Sequence, residues 1–134
     1  GQRMQLAPLI CVHDVEMISR WYQRLIGLVS GHGGVEYERL TSDGRLVLQL
    51  HKWEVEHDHG PLGDPTSRPY GNGLVLWFEL EDFDAAVDRA EEMTIEVLKA
   101  RRWSENGNWE YWLRDPEGYT VVLTSPLPQV AEQE

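Results

Sequence analysis

Residues 109–124 read Trp109-Glu110-Tyr111-Trp112-Leu113-Arg114-Asp115-Pro116-Glu117-Gly118-Tyr119-Thr120-Val121-Val122-Leu123-Thr124. Two runs rich in aromatic and β-branched residues flank the tetrapeptide Asp115-Pro116-Glu117-Gly118. Proline early presets φ and glycine late tolerates a left-handed φ, so the segment predicts two strands, 109–114 and 119–124, joined by a tight turn. Upstream, residues 95–98 read as another strand, and residues 100–108, with Arg101, Arg102, Trp103 and Gly107, read as a loop. Phe83, Ala86, Val87, Ala90 and Met93 fall on one stripe of a helix that Asp82 would cap. Residues 74–80 supply the strand before it. This half is therefore strand, helix, then three strands.

The other half repeats the order. Residues 6–12 read as a buried strand, and Asp14 stands where an N-cap belongs. Val15, Ile18, Trp21, Tyr22, Leu25 and Ile26 recur at helical spacing until Gly27, with Trp21 expected in the core. After the glycine-rich loop 31–34, residues 35–40 and 45–53 form two strands joined by Thr41-Ser42-Asp43-Gly44, whose Asp-Gly pair favours a hairpin. Val12-His13-Asp14 then matches Leu80-Glu81-Asp82, a weak internal repeat in which two supersecondary units each bury one face. The expected fold is α+β, a single domain of two βαβββ modules, residues 6–53 and 74–126. Residues 54–73 join them and residues 127–134 form a polar tail.

Composition narrows the function. A length of 134 residues suits one compact domain and leaves no room for a separate catalytic one. Twelve basic against 23 acidic residues give a net charge of −11, which repels phosphate backbones and anionic lipid. Nucleic acid and membranes are thus poor partners, and a cationic ligand would be favoured. No apolar run approaches the length of a membrane span, and no basic-then-apolar signal opens the chain. A lone cysteine, Cys11, excludes an intrachain disulfide and a thiolate zinc cage, and fits a reduced, cytoplasmic setting. The six tryptophans, Trp21, Trp53, Trp77, Trp103, Trp109 and Trp112, are rigid flat surfaces suited to a core or to stacking a planar ligand.

This duplicated pattern resembles the vicinal oxygen chelate superfamily, which includes glyoxalase I, extradiol dioxygenases and bleomycin-resistance proteins. The resemblance rests on Leu9 to Asp14 with the Trp21-Tyr22 helix, on Trp77 to Ala86, and on Trp112 to Tyr119, and spans roughly residues 6 to 126. It implies that each sheet curls into a half-barrel whose concave face holds the ligand. Metal-dependent members place His, Gln or Glu at four concave positions, which here fall on Ala7, Gln49, Val75 and Val122. Alanine and valine offer no lone pair, so only Gln49 could ligate, and the expected cofactor is none. A relocated site from Gln49, His51, Glu79 and Glu110 is chemically possible, and His57 and His59 are spaced to chelate, but a solvated loop suits those two better.

Strand alternation then names the concave wall. Pro8, Ile10 and Val12 should face the helix, leaving Ala7, Leu9 and Cys11 inside. Leu46, Leu48, Leu50, Leu76, Phe78, Leu80, Tyr111 and Leu113 are expected core. Val47, Gln49, His51, Val75, Trp77, Glu79, Glu110, Trp112, Arg114, Thr120, Val122 and Thr124 then line the cavity, and Trp103 could close over it. Arg114 is expected either to pair with Glu79 or Glu110 or to serve a ligand. Cys11 reads as a small apolar wall residue rather than a nucleophile. The first functional expectation is a metal-independent binding protein that sequesters a planar or cationic, antibiotic-like molecule, a homodimer by resemblance. The alternative is a glyoxalase- or dioxygenase-like enzyme with relocated metal ligands, or a metal-free acid–base enzyme using Glu110 or His51.

Overall fold

The computed structural model describes residues 4–53, 65, 66 and 68–127. The chain divides into two compact units, Gly1–Arg68 and Pro69–Glu134. The first contains β1 (Leu9–Val12), α1 (Val15–Ile26), β2 (Val29–Ser30), β3 (Tyr37–Ser42) and β4 (Arg45–Lys52). The second contains β5 (Leu76–Glu79), α2 (Phe83–Glu92), β6 (Glu96–Trp103), β7 (Trp109–Arg114) and β8 (Thr120–Thr124). Each unit builds a four-stranded mixed sheet, ordered β1-β4-β3-β2 in one and β5-β8-β7-β6 in the other. In both, the opening strand pairs in parallel with the closing strand and every other pairing is antiparallel. The two βαβββ modules of an α+β fold are thus present.

Local chemistry sets the element ends. Asp14 caps α1 by accepting the Met17 N–H at 3.0 Å, and Asp82 caps α2 by accepting that of Ala85 at 3.2 Å. Gly27 ends α1 with φ 71°, the left-handed conformation glycine adopts freely. The β3–β4 turn has φ 50° at Asp43 and 77° at Gly44, the two positive values of a type I′ two-residue hairpin. In the β7–β8 turn the buried Asp115 Oδ1 accepts the N–H groups of Glu117, Gly118 and Tyr119 at 2.8–2.9 Å.

The core of the first unit joins Ile10, Val12, Leu40, Leu48 and Leu50 of its sheet to Val15, Ile18, Tyr22 and Leu25 of α1. That of the second joins Leu76, Tyr111, Leu113, Val121 and Leu123 to Phe83, Ala86, Val87 and Ala90 of α2. Pro8, Leu46, Phe78 and Leu80 are only partly buried. Trp21 is likewise half-buried, lying edge-on to the fully buried Tyr22 with ring centroids 4.7 Å apart. Not one of the six tryptophans is fully buried, against the expectation for Trp21.

Two elements depart from the sequence reading. Residues 100–103 are not loop but the end of β6, which runs from Glu96 to Trp103 with register shifts between Val97 and Lys99 and between Lys99 and Arg102. Those bulges break the alternation that identifies a strand. The two-residue β2 is too short to carry any period. Most of the joining segment 54–73, including His57 and His59, and all of the tail but Leu127 lie outside the described residues.

Candidate functional site

Backbone register fixes which side chains share a face, because cross-strand partners point the same way. In the first unit Leu9 pairs with Gln49 and Cys11 with His51, while Tyr37 and Arg39 of β3 sit opposite His51 and Gln49. These six form the face turned away from α1. Gln49 is tied at both ends of its carboxamide. Its oxygen accepts the Tyr37 hydroxyl at 2.5 Å and its nitrogen donates to the Ala7 carbonyl at 3.1 Å, so it braces three neighbouring segments of chain. His51 Nδ1 lies 2.7 Å from the Lys52 carbonyl, an acceptor, so the neutral ring carries its proton on Nδ1. Tyr37 is edge-on to His32 with centroids 5.3 Å apart, and its centroid lies 6.3 Å from that of His51. Cys11 is buried and Leu9 exposed. Tyr37 and Arg39 were absent from the sequence reading because only the β3–β4 pairing places them beside Gln49 and His51.

On the opposite side of this sheet is a carboxylate that the sequence reading passed over. Glu38, 3% exposed, is the cross-strand partner of Leu50. Burial works to raise its pKa. The Gly33 N–H at 2.7 Å, the Ser30 and Ser19 hydroxyls at 2.8 and 2.9 Å, and the His32 N–H at 3.1 Å outweigh that, and its pKa lies below the ordinary glutamate value. Glu38 thereby staples the loop 31–34 to α1. Its donors are mostly backbone groups, which no residue pattern advertises.

In the second unit the same logic gives three rows across the sheet. One row runs Trp77, Val122, Trp112, Lys99, and the next runs Glu79, Thr124, Glu110, Arg102. Thr120, Arg114 and Glu96 form the third. Trp77 is 50% exposed, and its side chain makes no hydrogen bond or ring contact with any described residue. Trp112 is half-buried, donates its indole N–H to Glu110 Oε1 at 3.0 Å, and carries the Lys99 ammonium 4.5 Å from its ring centroid. Val122, between them, has no exposed surface, and Thr124 is buried with its hydroxyl donated to the Phe78 carbonyl at 3.0 Å. Both belong to the floor of this face rather than to its open wall.

The polar residues settle into specific pairings. Glu110, 6% exposed, has Oε1 engaged by the Trp112 indole and approached by Arg102 at 3.7 Å. Arg114 pairs with neither Glu79 nor Glu110. Its Nη1 donates to the Gly118 carbonyl at 3.2 Å and the Thr120 hydroxyl at 3.1 Å. Glu79 instead accepts the Leu127 N–H at 3.0 Å. Trp103 pairs in register with Trp109 and stacks edge-on against it at 5.4 Å, on the side that also carries Tyr111 and Leu113. It therefore stands on the face away from Trp77 and Trp112, as a strand residue and not as part of a covering loop. Among the described residues, no group of three or more His, Cys, Asp or Glu side chains could hold a metal ion.

A profile of the Glyoxalase/Bleomycin resistance protein/Dioxygenase superfamily matches residues 5–123. The chain belongs to that superfamily. Solved structures share its fold at low identity. A protein of unknown function from Agrobacterium tumefaciens superposes with a TM-score of 0.71 at 17% identity, over 95% of this chain and 98% of its own. The fosfomycin resistance protein FosX from Mesorhizobium loti gives 0.67 at 12% identity, over 94% of each chain. A bleomycin resistance determinant encoded on the transposon Tn5 gives 0.65 at 17% identity, over 92% of this chain and 98% of its own. A search of curated proteins finds no match.

Proposed function

We propose that the protein binds a planar, antibiotic-like small molecule without a metal, and that it sequesters rather than transforms its ligand. The observation that carries this reading is the pair Trp77 and Trp112. They stand on one row of one sheet face, two strands apart, with no contact between their rings. Strands lie about 4.8 Å apart, so the two positions are roughly 9–10 Å from each other. Val122, between them, has no exposed surface, so a ring enters only as the indoles part over it, and the half-exposed Trp77 is the surface a planar ligand meets first. The similarity to a bleomycin resistance determinant agrees with such a role.

The four positions that hold the metal in other members do not suit a divalent cation here. Ala7, Val75 and Val122 have no donor atom in their side chains, and Gln49 spends its carboxamide on Tyr37 and Ala7. Glu110 holds Oε1 on the Trp112 indole and near Arg102, which anchors this carboxylate to the wall of the face. A symmetric pair of chains is part of the proposal, by analogy with the family.

The test uses chelator-treated, tag-free protein. Planar aromatic compounds should quench indole emission and raise the melting temperature, while Zn, Ni, Mn and Fe(II) leave it unchanged. Trp77→Ala should abolish the ligand-induced shift. A stoichiometric metal in the untreated protein, lost on changing His51 or Glu110, would replace this reading with a relocated metal site.

A further inference from the structure

The sequence left open whether the ligand is planar or cationic, and the arrangement around Trp112 bears on that choice. A cation already occupies its ring, since the Lys99 ammonium lies 4.5 Å from the centroid. A ligand cation approaching the same ring would meet a like charge. The row that holds both indoles carries no carboxylate, and Lys99 is its only charge.

A second cation stands one alternation further along β7. Arg114 is half-buried and held by Nη1 on two neutral acceptors, the Gly118 carbonyl and the Thr120 hydroxyl. Neither it nor Lys99 forms an ion pair with a described residue, and Glu96, the register partner of Arg114, makes none with it. Glu96 is exposed and has no side-chain partner among the described residues, and the other two carboxylates of these rows are engaged. Glu110 meets Arg102 and the Trp112 indole, and Glu79 accepts the Leu127 N–H. In a chain whose net charge is −11, two cations beside two indoles with no ion-pair partner among the described residues are an exception to the overall sign. Trp112 and Arg114, two apart on β7, are about 6.6–6.8 Å apart and Lys99 is the register partner of Trp112, so an anionic substituent on a ring against Trp112 has both cations within reach.

We infer that the ligand is an anionic aromatic, a planar ring bearing a carboxylate or similar group, with the ring between Trp77 and Trp112 and the anion at Lys99 and Arg114. This rests on the binding role proposed above and deepens it. Calorimetric titration with 2-naphthoate, 2-naphthalenemethanol and 2-naphthylmethylammonium separates the two. The expected order is naphthoate tightest and the ammonium weakest. Lys99→Gln, at an exposed position, should weaken naphthoate by about three- to fivefold, as for a partly exposed ion pair, and leave the alcohol unchanged. Adding Arg114→Gln should weaken naphthoate further. Affinities independent of charge, or tightest for the ammonium, would overturn the anion inference and leave the aromatic site standing. No binding of any of the three probes would overturn both.

Discussion

At the scale of single residues, Glu38 and Trp77 make opposite demands. Glu38 is buried and satisfied by five donors, the Arg39 N–H at 3.0 Å being the fifth, so Glu38→Gln leaves some of them facing an amide. The expected cost is about 1–3 kcal/mol in urea denaturation at neutral pH. Its folded-state pKa is lowered, so the contribution is fully present above the unfolded value of about 4.3 and is lost as pH falls through the folded value. The variant should therefore show a flatter acid limb of stability against pH than the parent. Trp77, half exposed and with no side-chain partner among the described residues, contributes little to folding. Trp77→Ala should change stability by no more than about 0.5 kcal/mol, checked by the same denaturation, while removing planar-ligand binding. Neither role is written in residue type alone. Trp77 could be assigned to a face because strand alternation is local, whereas Glu38 depends on backbone donors in a loop several residues away and on a serine from α1.

At the scale of elements, the repeat allows one half to be compared with the other. Gly27 closes α1 at φ 71°, but just after α2 a β-branched residue, Thr94, holds φ 55°. That conformation crowds a branched Cβ, so Thr94→Gly should stabilise the protein by up to about 1 kcal/mol, read as a raised melting temperature. The β7–β8 turn predicts the reverse. Asp115→Ala strands the N–H groups of the buried Glu117 and Tyr119, while that of Gly118 keeps the Asp115 carbonyl at 3.0 Å, and should cost about 2–3 kcal/mol. Caps, hairpin turns and most strands were legible in the sequence because their signals lie within a few residues. The end of β6 was not, because two bulges shift its side chains off a simple alternation, and Trp103 was read with it as part of a covering loop. Val122 and Thr124 were expected to be open to a ligand. They lie on an inner strand flanked by large side chains of β5 and β7, a fact of strand order that the sequence does not state.

At the scale of the whole molecule, the superfamily is secure and the ligand is the open quantity. Among the described residues no helix is long and apolar enough to cross a membrane. Sedimentation equilibrium should give twice the chain mass if the proposed symmetric pair forms, and a single chain mass would remove that part of the proposal. The placement of the tryptophans has an optical consequence. With no indole sealed in either core, intrinsic emission is governed by whatever approaches the surface. The trace can therefore move sharply when nothing has unfolded, while the four half-buried indoles mix a folding response into it. Backbone circular dichroism is the signal that follows the fold, which leaves the indoles as a built-in detector of the guest.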